Sequence, residues 1–377
     1  MSLNKTMFLP DYMDEPQWLR IGRLAIEVLL ALFGVLGNIA VIIAIVRCPF
    51  MRTVTNIFIC NLAVADLGVL LFSFPFAVVK EQTLFYWPLG RALCQVAYPL
   101  SEVFIGVSVW SIVFISIDRY RGIVNDSHLR SMKIARIICF ISWIISFLVL
   151  CLPLLIVTRY WEGAGFKDCI QEWPQQHRKS MVRGYTFICS FHNYVLPLSI
   201  ILWTYFKIFR KLGNSTAFNE STRRAKNLRD SSSSRHDEQR IKRNNRAKKI
   251  LTPVVVVFAV TLLPVNVFRL LLTCMPSLLH FHYLWVLYNL CVVATVLNSS
   301  CNPFIYAVVS DNFRMAFRKM LGAKENFARR RAPYAHLSSP EGATATFKLH
   351  SKNSPKSTTS TNFPVVSTGS LSSSDQV

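Results

Sequence analysis

Seven long apolar runs divide this sequence of 377 residues, and each of them covers 20 residues or more. A helix of that length crosses the roughly 30 Å hydrocarbon core of a lipid bilayer. A soluble domain would instead spread its apolar residues, 52% of this chain, over amphipathic patterns. We therefore predict an all-α membrane protein, a seven-transmembrane helix bundle. The spans are expected at about residues 24–46, 54–79, 93–117, 134–157, 185–206, 250–274 and 282–309.

The basic residues orient this bundle in the membrane. Five lysines and arginines fall around residues 119–136, whereas the loop between the second and third spans holds two, Lys80 and Arg91. Because cytoplasmic loops are enriched in lysine and arginine, residues 119–136 are assigned to the cytoplasm. The N-terminus, residues 1–23, is then extracellular, and we expect a multi-pass protein of the plasma membrane. The net charge of +22 follows from this topology and from attraction to anionic lipids, and it does not indicate a nucleic-acid partner.

Three cytoplasmic segments have a distinct composition. Residues 311–321 place Phe313 and Phe317 on one face and basic residues elsewhere, which is typical of an amphipathic helix lying on the inner leaflet. Residues 211–245, the third intracellular loop, and residues 323–377, the tail, are rich in serine and basic residues. Both are predicted to be disordered, because such segments cannot bury enough apolar surface.

The extracellular side carries two predicted modifications. The sequon at Asn4 is expected to be glycosylated. Cys94 and Cys169 both fall in the oxidising compartment, and we predict that they form a disulfide. This bond would tie the outer end of the third span to the second outer loop.

Ionisable side chains within the spans are few, and each one is a candidate for function because burial of a charge in a membrane is costly. Asp66 is the deepest, and a lone buried carboxylate would protonate unless donors or a cation lay nearby. Polar side chains are expected at a similar depth, namely Asn38, Ser108, Asn298, Ser299 and Asn302. The pattern predicts a polar cluster around Asp66 that could hold Na⁺. A purely structural hydrogen-bond network is the alternative, and no other cofactor is predicted.

Eight short motifs occur in order, each at a defined end of its own span. They are GVLGN (34–38), NLAVADL (61–67), WPLG (87–90) with Cys94, DRY (118–120), Trp143 with Pro153, Pro197 with Tyr205, Phe258 with Pro264, and NPFIY (302–306). One tripeptide occurs often by chance, whereas the ordered set is specific. Over about residues 20–322, the chain resembles the rhodopsin-like (class A) family of G-protein-coupled receptors. We therefore treat residues 24–322 as one receptor domain.

The resemblance implies a G-protein coupling switch at the cytoplasmic side. Asp118 would hold Arg119 in the resting state, and Arg119 would face the G protein in the active state. Tyr120 completes this motif. Tyr205 and Tyr306 would swing inward on activation.

The resemblance also implies roles nearer the middle of the membrane and at the outer side. Asp66 and its polar neighbours match the sodium-site pattern of the family, and Cys94 and Cys169 match its disulfide. Phe258 would transmit motion below the ligand, and Pro264 and Pro303 would mark bends.

Three departures from the family pattern bear on signalling. Leu262 stands where a tryptophan is usual, Asn244 stands where many members have an acid, and Asp126 replaces a usual proline. They bear on the strength and class of G-protein coupling and leave both open.

The ligand class is narrowed by exclusion and by the second outer loop. The last span has no lysine for a retinal Schiff base, and Ser101 stands where amine receptors need an aspartate. The loop motif CIQEWP (169–174) resembles that of neuropeptide FF, neuropeptide Y and orexin receptors. Candidate ligand contacts are Ser101, Glu102, Glu172, Arg269 and Tyr288.

The predicted function is a cell-surface receptor activated by a neuropeptide and acting on heterotrimeric G proteins. Arrestin, receptor kinases and membrane lipids are the further expected partners. A receptor for a lipid or other small molecule, and a non-signalling decoy or scaffold receptor, are the alternatives. A transporter or channel is disfavoured because no internal repeat is seen. No metalloprotease, Walker or nucleophile-elbow motif occurs, so an enzyme is not predicted.

Overall fold

The structure is a computed structural model that describes residues 16–83, 86–125, 131–163, 166–225, 231–280 and 283–320. Within these ranges, the side chains of residues 212–225, 231–251 and 279–280 are not described. The predictions for Asn4, Asp126, the side chain of Asn244 and the tail 323–377 therefore lie outside the described residues.

Eight helices and one β-hairpin form the described part of the chain. The helices are α1 (Gln17–Arg47), α2 (Val54–Gln82), α3 (Gly90–Val124), α4 (Met132–Val157), α5 (Arg178–Ala225), α6 (Ser231–Cys274), α7 (Leu284–Val309) and α8 (Asp311–Met320). The antiparallel strands β1 (Thr158–Gly163) and β2 (Phe166–Gln171) lie between α4 and α5. Short 3₁₀ turns cover Pro49–Met51, Gln175–His177 and Pro276–His280.

The seven predicted spans are confirmed. Within the described residues, seven helices are long and apolar enough to cross a membrane, and each overlaps one predicted run. The helices extend beyond the apolar runs, and α3, for example, continues through Arg119 to Val124. Polar residues at the ends of a span remain helical because their side chains reach the aqueous boundary. The DRY motif is therefore helical.

The prolines in α2, α4 and α5 are accommodated by π-helical turns. These turns cover Val69–Ser73, Phe147–Cys151 and Phe191–Val195, and each ends two residues before Pro75, Pro153 or Pro197. The residue just before each proline donates its backbone N–H to the carbonyl five residues back. A proline ring clashes with the carbonyl four residues back and lacks an N–H. The wider turn relieves that conflict.

The helix α3 lies at the centre of the bundle, where it packs against α2, α4, α5 and α6. The largest hydrophobic cluster fills the cytoplasmic half of the bundle and contains Leu62, Ile112, Phe258 and Tyr306. On the other side of the bundle, α7 packs against α1 and α6. This arrangement encloses the polar residues of α2, α3 and α7 between hydrophobic layers.

Within the segment 211–245, α5 continues to Ala225 and α6 begins at Ser231. Lysine, arginine, glutamate, glutamine and alanine have good helix propensity. Both extensions also continue helices whose membrane portions already supply the costly nucleus. The predicted disorder of this loop stays a prediction.

The amphipathic helix is confirmed as α8 over Asp311–Met320. Phe313 and Ala316 are buried, whereas Arg314, Arg318 and Lys319 are exposed. Phe313 stacks on Tyr306 of α7 with 5.2 Å between ring centroids. The apolar face of α8 is thereby packed against the end of the bundle.

Candidate functional site

The DRY motif forms a three-residue contact with α2 at the cytoplasmic side. Asp118 is 1% exposed, and its Oδ2 accepts hydrogen bonds from Thr55 Oγ1 at 2.6 Å and from Arg119 Nη2 at 3.3 Å. Arg119 Nη2 also donates to Thr55 Oγ1. Oδ1 of Asp118 is buried without a hydrogen-bond partner among the described residues. The Asp118–Arg119 pair is thus shared with Thr55, which sequence reasoning missed.

The three tyrosines assigned to the coupling switch have separate packing partners. Tyr306 is 3% exposed, and its hydroxyl has no hydrogen-bond partner among the described residues. Tyr205 is buried with its ring near Phe209 and its hydroxyl beside Thr252 of α6. Tyr120 packs against Trp203. Tyr205 and Tyr306 belong to the same hydrophobic cluster.

Asp66 lies at the centre of a polar core formed by α2, α3 and α7. It is completely buried, its Oδ1 accepts a hydrogen bond from Ser108 Oγ at 2.8 Å, and its Oδ2 accepts one from Asn302 Nδ2 at 2.8 Å. The side chain of Ser299 also lies within hydrogen-bonding reach of Asp66. The predicted cluster therefore assembles around the carboxylate.

The two asparagines at the edge of the polar core connect it to other helices. Asn38 Nδ2 of α1 donates to the carbonyl of Ser299 at 3.1 Å. Asn298 Oδ1 accepts a hydrogen bond from Thr261 Oγ1 of α6 at 3.1 Å. The polar core thus contacts α1 and α6 as well as the three helices that form it.

The oxygen atoms of the polar core can be compared with the ligands that a cation prefers. It consists of one carboxylate together with hydroxyl and carboxamide oxygens, and hard cations prefer oxygen ligands. Among the described residues, no group of three or more His, Cys, Asp or Glu side chains could hold a metal ion. A single carboxylate among neutral oxygens suits a monovalent cation better than a transition metal.

The segment below the outer pocket is apolar. Phe258 is fully buried near Tyr194, with 6.2 Å between the ring centroids. Leu262 is 2% exposed, and its carbonyl accepts a hydrogen bond from Asn266 Nδ2 at 2.8 Å. Tyr194 donates its hydroxyl to the carbonyl of Ala259 at 3.1 Å. Leu262 therefore fills a packed position where the family usually has an aromatic ring.

An ion pair joins α3 to α6. Arg269 Nη2 lies 2.5 Å from Glu102 Oε1, and Arg269 Nη1 lies 3.2 Å from Glu102 Oε2. The Glu102 side chain is 11% exposed and that of Arg269 is 38% exposed. Both had been proposed as separate ligand contacts, and the structure brings them together.

The other candidate ligand residues differ in accessibility. Ser101 Oγ donates to the carbonyl of Ala97 at 2.6 Å, on its own helix. Tyr288 is partly buried and stacks on Trp285 with 5.4 Å between the centroids. Glu172 is exposed beyond the end of β2. The structure therefore groups Glu102 with Arg269 and does not place Glu172 in this ion pair.

A second ionic cluster lies at the outer ends of α1 and α2. Arg23 donates to Glu27 at 3.0 Å and to Glu81 at 3.1 Å, and all three side chains are buried. Lys80, next to Glu81, lies 4.6 Å from the centroid of the Tyr98 ring. Glu27 is one of the few ionisable residues within the predicted first span. The four-residue spacing of Arg23 and Glu27 is the signal that predicts their pairing.

The outer loop is a β-hairpin fixed at both sides. Cys94 of α3 forms the predicted disulfide with Cys169 of β2. The backbone N–H of Trp87 donates to the carbonyl of Lys167 at 2.8 Å. Trp173 is buried against Tyr185 of α5, so the chain after β2 packs onto the bundle.

One exposed ion pair joins the two strands of the hairpin. Glu162 and Lys167 lie 2.9 Å apart. Their hydrogen bond lowers the pKa of Glu162 and raises the pKa of Lys167. Both groups are therefore charged at neutral pH. Since both are solvent-exposed, the disulfide rather than this pair holds the hairpin in place.

The sequence matches a known family over most of the bundle. The model of the family described as "7 transmembrane receptor (rhodopsin family)" matches residues 37–306. The chain belongs to the rhodopsin family. This G-protein-coupled receptor is thus not an enzyme, and its Cys94–Cys169 disulfide is the one that the resemblance implied.

Several curated receptors are similar to this one over about three quarters of its length. It is 31% identical over 292 residues to neuropeptide Y receptor type 2 of Mus musculus, which covers 76% of this chain and 72% of that receptor. It is 30% identical over 308 residues to the neuropeptide F receptor of Drosophila melanogaster, covering 78% of this chain and 60% of that receptor. It is 30% identical over 302 residues to somatostatin receptor type 5 of Rattus norvegicus, covering 78% and 76%.

Proposed function

We propose that this receptor is activated by a neuropeptide at the plasma membrane and transmits the signal to heterotrimeric G proteins. The observation that carries the proposal is its similarity to receptors named for neuropeptide Y and neuropeptide F. The extracellular N-terminus is supported by the excess of basic residues in the segments assigned to the cytoplasm.

The peptide site is proposed to lie around Glu102 and Arg269. The ion pair between α3 and α6 supports this proposal, because it brings both signs of charge together at the proposed peptide pocket. Such groups select a charged or strongly polar peptide segment and orient it. Tyr288 and Ser101 would line the same pocket, and Glu172 would meet the ligand at the rim.

G-protein coupling is proposed to depend on release of Arg119. In the structure, Arg119 contacts both Asp118 and Thr55. A peptide that favours a conformation in which this contact is broken shifts the receptor toward the active state. The change at the outer pocket and the change at the inner face are then coupled.

Na⁺ is proposed as an allosteric ion in the polar core. Asp66 would supply the charge, and Ser108, Asn298, Ser299 and Asn302 would supply neutral oxygens. The bound ion would neutralise a carboxylate that is otherwise held by neutral donors in the membrane interior. The competing proposal is a hydrogen-bond network without an ion.

Three further predictions complete the proposed function. Asn4 would carry an N-linked glycan, which requires an extracellular N-terminus. Receptor kinases would phosphorylate serines and threonines within residues 351–374. The phosphorylated tail would then recruit arrestin through its added negative charge.

A ligand screen tests the proposal directly. The full chain is expressed in cells with verified surface expression and exposed to libraries of amidated peptides and of lipids. We expect a peptide to change cAMP or calcium, and Arg119→Ala to abolish that response without loss of surface expression. A response to lipids alone would favour the small-molecule alternative.

The same screen distinguishes a receptor that binds without signalling. Peptide binding with no change in cAMP, calcium or arrestin recruitment would contradict G-protein activation and support the decoy alternative. Leu262 is the structural feature that favours this outcome, because an aliphatic side chain fills the position beside Pro264. Leu262→Trp provides the matched variant, since it restores the usual aromatic ring.

A further inference from the structure

The π turn of α5 is held to α3 through a histidine. This turn covers Phe191–Val195, and it packs against α3 and α6. His192 is 8% exposed and Asn193 is 4% exposed, although both are polar residues within a span. Trp110 of α3 lies beside His192, with 5.6 Å between the ring centroids. We call Trp110, His192 and Asn193 the α3–α5 junction.

The hydrogen bonds of the α3–α5 junction assign the proton of the His192 ring. Trp110 Nε1 lies 3.1 Å from Nε2 and 3.4 Å from Nδ1 of His192. An indole N–H is a donor only, so the nearer nitrogen, Nε2, accepts this hydrogen bond and carries no proton. Nδ1 then carries the proton of the neutral ring, and it donates to Asn193 Oδ1 at 2.8 Å. The junction therefore uses both ring nitrogens and requires a neutral imidazole.

A charged His192 cannot keep this arrangement. Protonation adds an N–H at Nε2, opposite the indole N–H of Trp110. Two donors then face each other, and a buried donor without an acceptor loses its solvation without compensation. The hydrogen bond to Asn193 is retained, since Nδ1 keeps its proton. Protonation therefore breaks the contact between α3 and α5 and keeps the contact within α5.

The surroundings of His192 offer no compensation for a positive charge. The titratable residues nearest to it along α5 are Cys189 and Tyr194, and both side chains are ordinarily uncharged at neutral pH. Tyr194 donates its hydroxyl to a carbonyl of α6, and the partner from α3 is Trp110. Within the part of the chain that the structure describes, no charged side chain of α3, α5 or α6 acts on His192. A charged ring therefore gains no ionic partner.

The α3–α5 junction lies next to the α5 residues that approach the Glu102–Arg269 pair. Cys189 precedes His192 by three residues, which is about one helical turn. The Cys189 thiol lies within electrostatic reach of Glu102 and Arg269. Tyr185, one turn further out, lies within reach of the same pair. Loss of the junction therefore frees the outer half of α5 to move relative to this ion pair.

We propose that His192 is a positioning residue that fixes the outer half of α5 while it is neutral, and that its protonation releases this half in acidic surroundings. An exposed imidazole titrates at about pH 6.5. The unfolded chain leaves His192 in water, where it takes up the proton, so acid lowers the stability of the folded receptor. The effect on the peptide site rests on the proposed function, whereas the junction and its response to pH do not.

The indole resonance of Trp110 reports the α3–α5 junction directly. NMR spectra of the full chain with isotopically labelled tryptophan are recorded in nanodiscs between about pH 7.5 and pH 5, and Trp110→Phe assigns the resonance. We expect the Trp110 indole proton to shift upfield in acid as its hydrogen bond is lost. In His192→Gln it should stay in place, because the amide accepts from Trp110 and donates to Asn193 without titrating. A wild-type resonance that is independent of pH would overturn the proposal.

Thermal unfolding over the same pH range gives a second measurement that needs neither ligand nor G protein. The Tm of the wild-type receptor should fall on acidification, and the fall should be smaller in His192→Gln. At neutral pH, His192→Leu should lower the Tm whereas His192→Gln retains it. His177→Gln is the matched control, because His177 is exposed and its loss should leave the wild-type profile unchanged. Equal profiles of the wild-type receptor and His192→Gln would assign the acid sensitivity to other groups and contradict the role of His192.

Labelling of Cys189 tests whether the α3–α5 junction positions the outer half of α5. Cys189 is buried, and Cys274, at the end of α6, is exposed and serves as the internal reference. At constant neutral pH, a thiol reagent should label Cys189 several-fold faster in His192→Leu than in the wild-type receptor, and His192→Gln should match the wild-type rate. Unchanged labelling in His192→Leu would overturn the positioning role, and it would leave the proposed function untouched.

Discussion

The hydrogen bond from Thr55 holds the Asp118 carboxylate about as strongly as the ion pair with Arg119 does. Its hydroxyl donates to Asp118 at 2.6 Å, whereas Arg119 reaches the same oxygen at 3.3 Å. A hydrogen bond to a charged group contributes about 1.5–3 kcal/mol. The Arg119 side chain is 26% exposed, so solvent weakens its attraction to Asp118. Thr55 therefore helps to hold Asp118 as a charged, buried acceptor.

We predict that Thr55→Val and Asp118→Asn both raise basal signalling. Loss of about 1 kcal/mol from the resting state changes the active population roughly five-fold. Basal G-protein activation at matched surface expression is the measurement. The double variant should add little to Asp118→Asn, because both act on one contact.

Thr53→Val is the control for that experiment. Thr53 accepts a hydrogen bond from the backbone of Asn56 and caps α2. It should change stability without changing basal signalling. Unchanged basal signalling in both Thr55→Val and Asp118→Asn would contradict the role of this contact.

We predict that neutralising Arg269 and neutralising Glu102 destabilise the receptor by different amounts. Arg269→Gln leaves a carboxylate that is nearly buried, whereas Glu102→Gln leaves an arginine that is 38% exposed and can reach water. Uncompensated buried charge is the costly case. Arg269→Gln should therefore destabilise the receptor more, by about 2 kcal/mol after allowance for solvent at Arg269.

Thermal unfolding of the purified receptor checks this order, with a thiol dye reading out the buried cysteines. Glu172→Gln is the control, because Glu172 is exposed in the loop. Equal effects of Arg269→Gln and Glu102→Gln would mean that Glu102 has another compensating partner.

The sequence identifies individual polar residues at the apolar runs, but it does not identify the side chains that they contact. Asp66 and Glu102 stand out because each interrupts an apolar run, and Asp118 stands out because it directly follows one. Thr55 does not, since a threonine near the start of a span is unremarkable in composition. Its contact with Asp118 joins positions 63 residues apart, and only the packing of α2 on α3 creates it.

At the level of elements, the π turns rotate the outer halves of α2, α4 and α5 relative to the inner halves of the same helices. A π turn holds one residue more than an α turn, and each residue advances an α-helix by about 100°. Pro75, Pro153 and Pro197 all follow such a turn at the same distance. The side chains beyond each turn are therefore rotated from the positions that an uninterrupted helix would give.

We predict that α2 tolerates removal of one residue within its π turn. Deletion of Leu71 together with Pro75→Ala converts the turn to a regular α-helix while both halves keep their facing residues. Surface expression and thermal unfolding should change little. Deletion of Val64 with Pro75→Ala is the control, because it shortens a regular segment of the same helix and rotates Asp66 away from Ser108.

The elements themselves were predictable to different degrees. Long apolar runs predict the seven spans because the bilayer requires about 20 residues for a helix. The hairpin was not predicted, because the charge of the outer loop carries no signal for strands. An alternation of apolar and polar residues would be that signal. The π turns were anticipated only as bends at proline, since their form depends on how the helix relieves the clash.

At the level of the whole molecule, the polar core joins three helices of the bundle at one carboxylate. Asp66 joins α2 to α3 through Ser108 and to α7 through Asn302. Asn302 lies next to Pro303 and one turn from Tyr306. A change in the relative positions of these helices must alter the contacts of Asp66, so this site responds to the conformation of the whole bundle.

We predict that Na⁺ stabilises the resting receptor and that Asp66→Asn removes the effect. An ion that binds the folded state raises stability by mass action, and a gain of about 1 kcal/mol corresponds to about 2–4 °C in Tm. Thermal unfolding in NaCl and in N-methylglucamine chloride at equal ionic strength is the measurement. Ser111→Ala is the control, because Ser111 contacts Asn61 and not Asp66. An equal response to the two salts in the wild-type receptor would support a network without an ion.

The hairpin has a consequence for how a ligand would bind. Its backbone is already paired along Thr158–Gly163 and Phe166–Gln171, and Cys169 is covalently attached to α3. A flexible loop would lose conformational entropy on closing over a peptide, whereas a preorganised hairpin has lost most of that entropy during folding. The entropic penalty of association then falls mainly on the peptide, so stiffening the peptide is the effective route to a tighter ligand for this receptor.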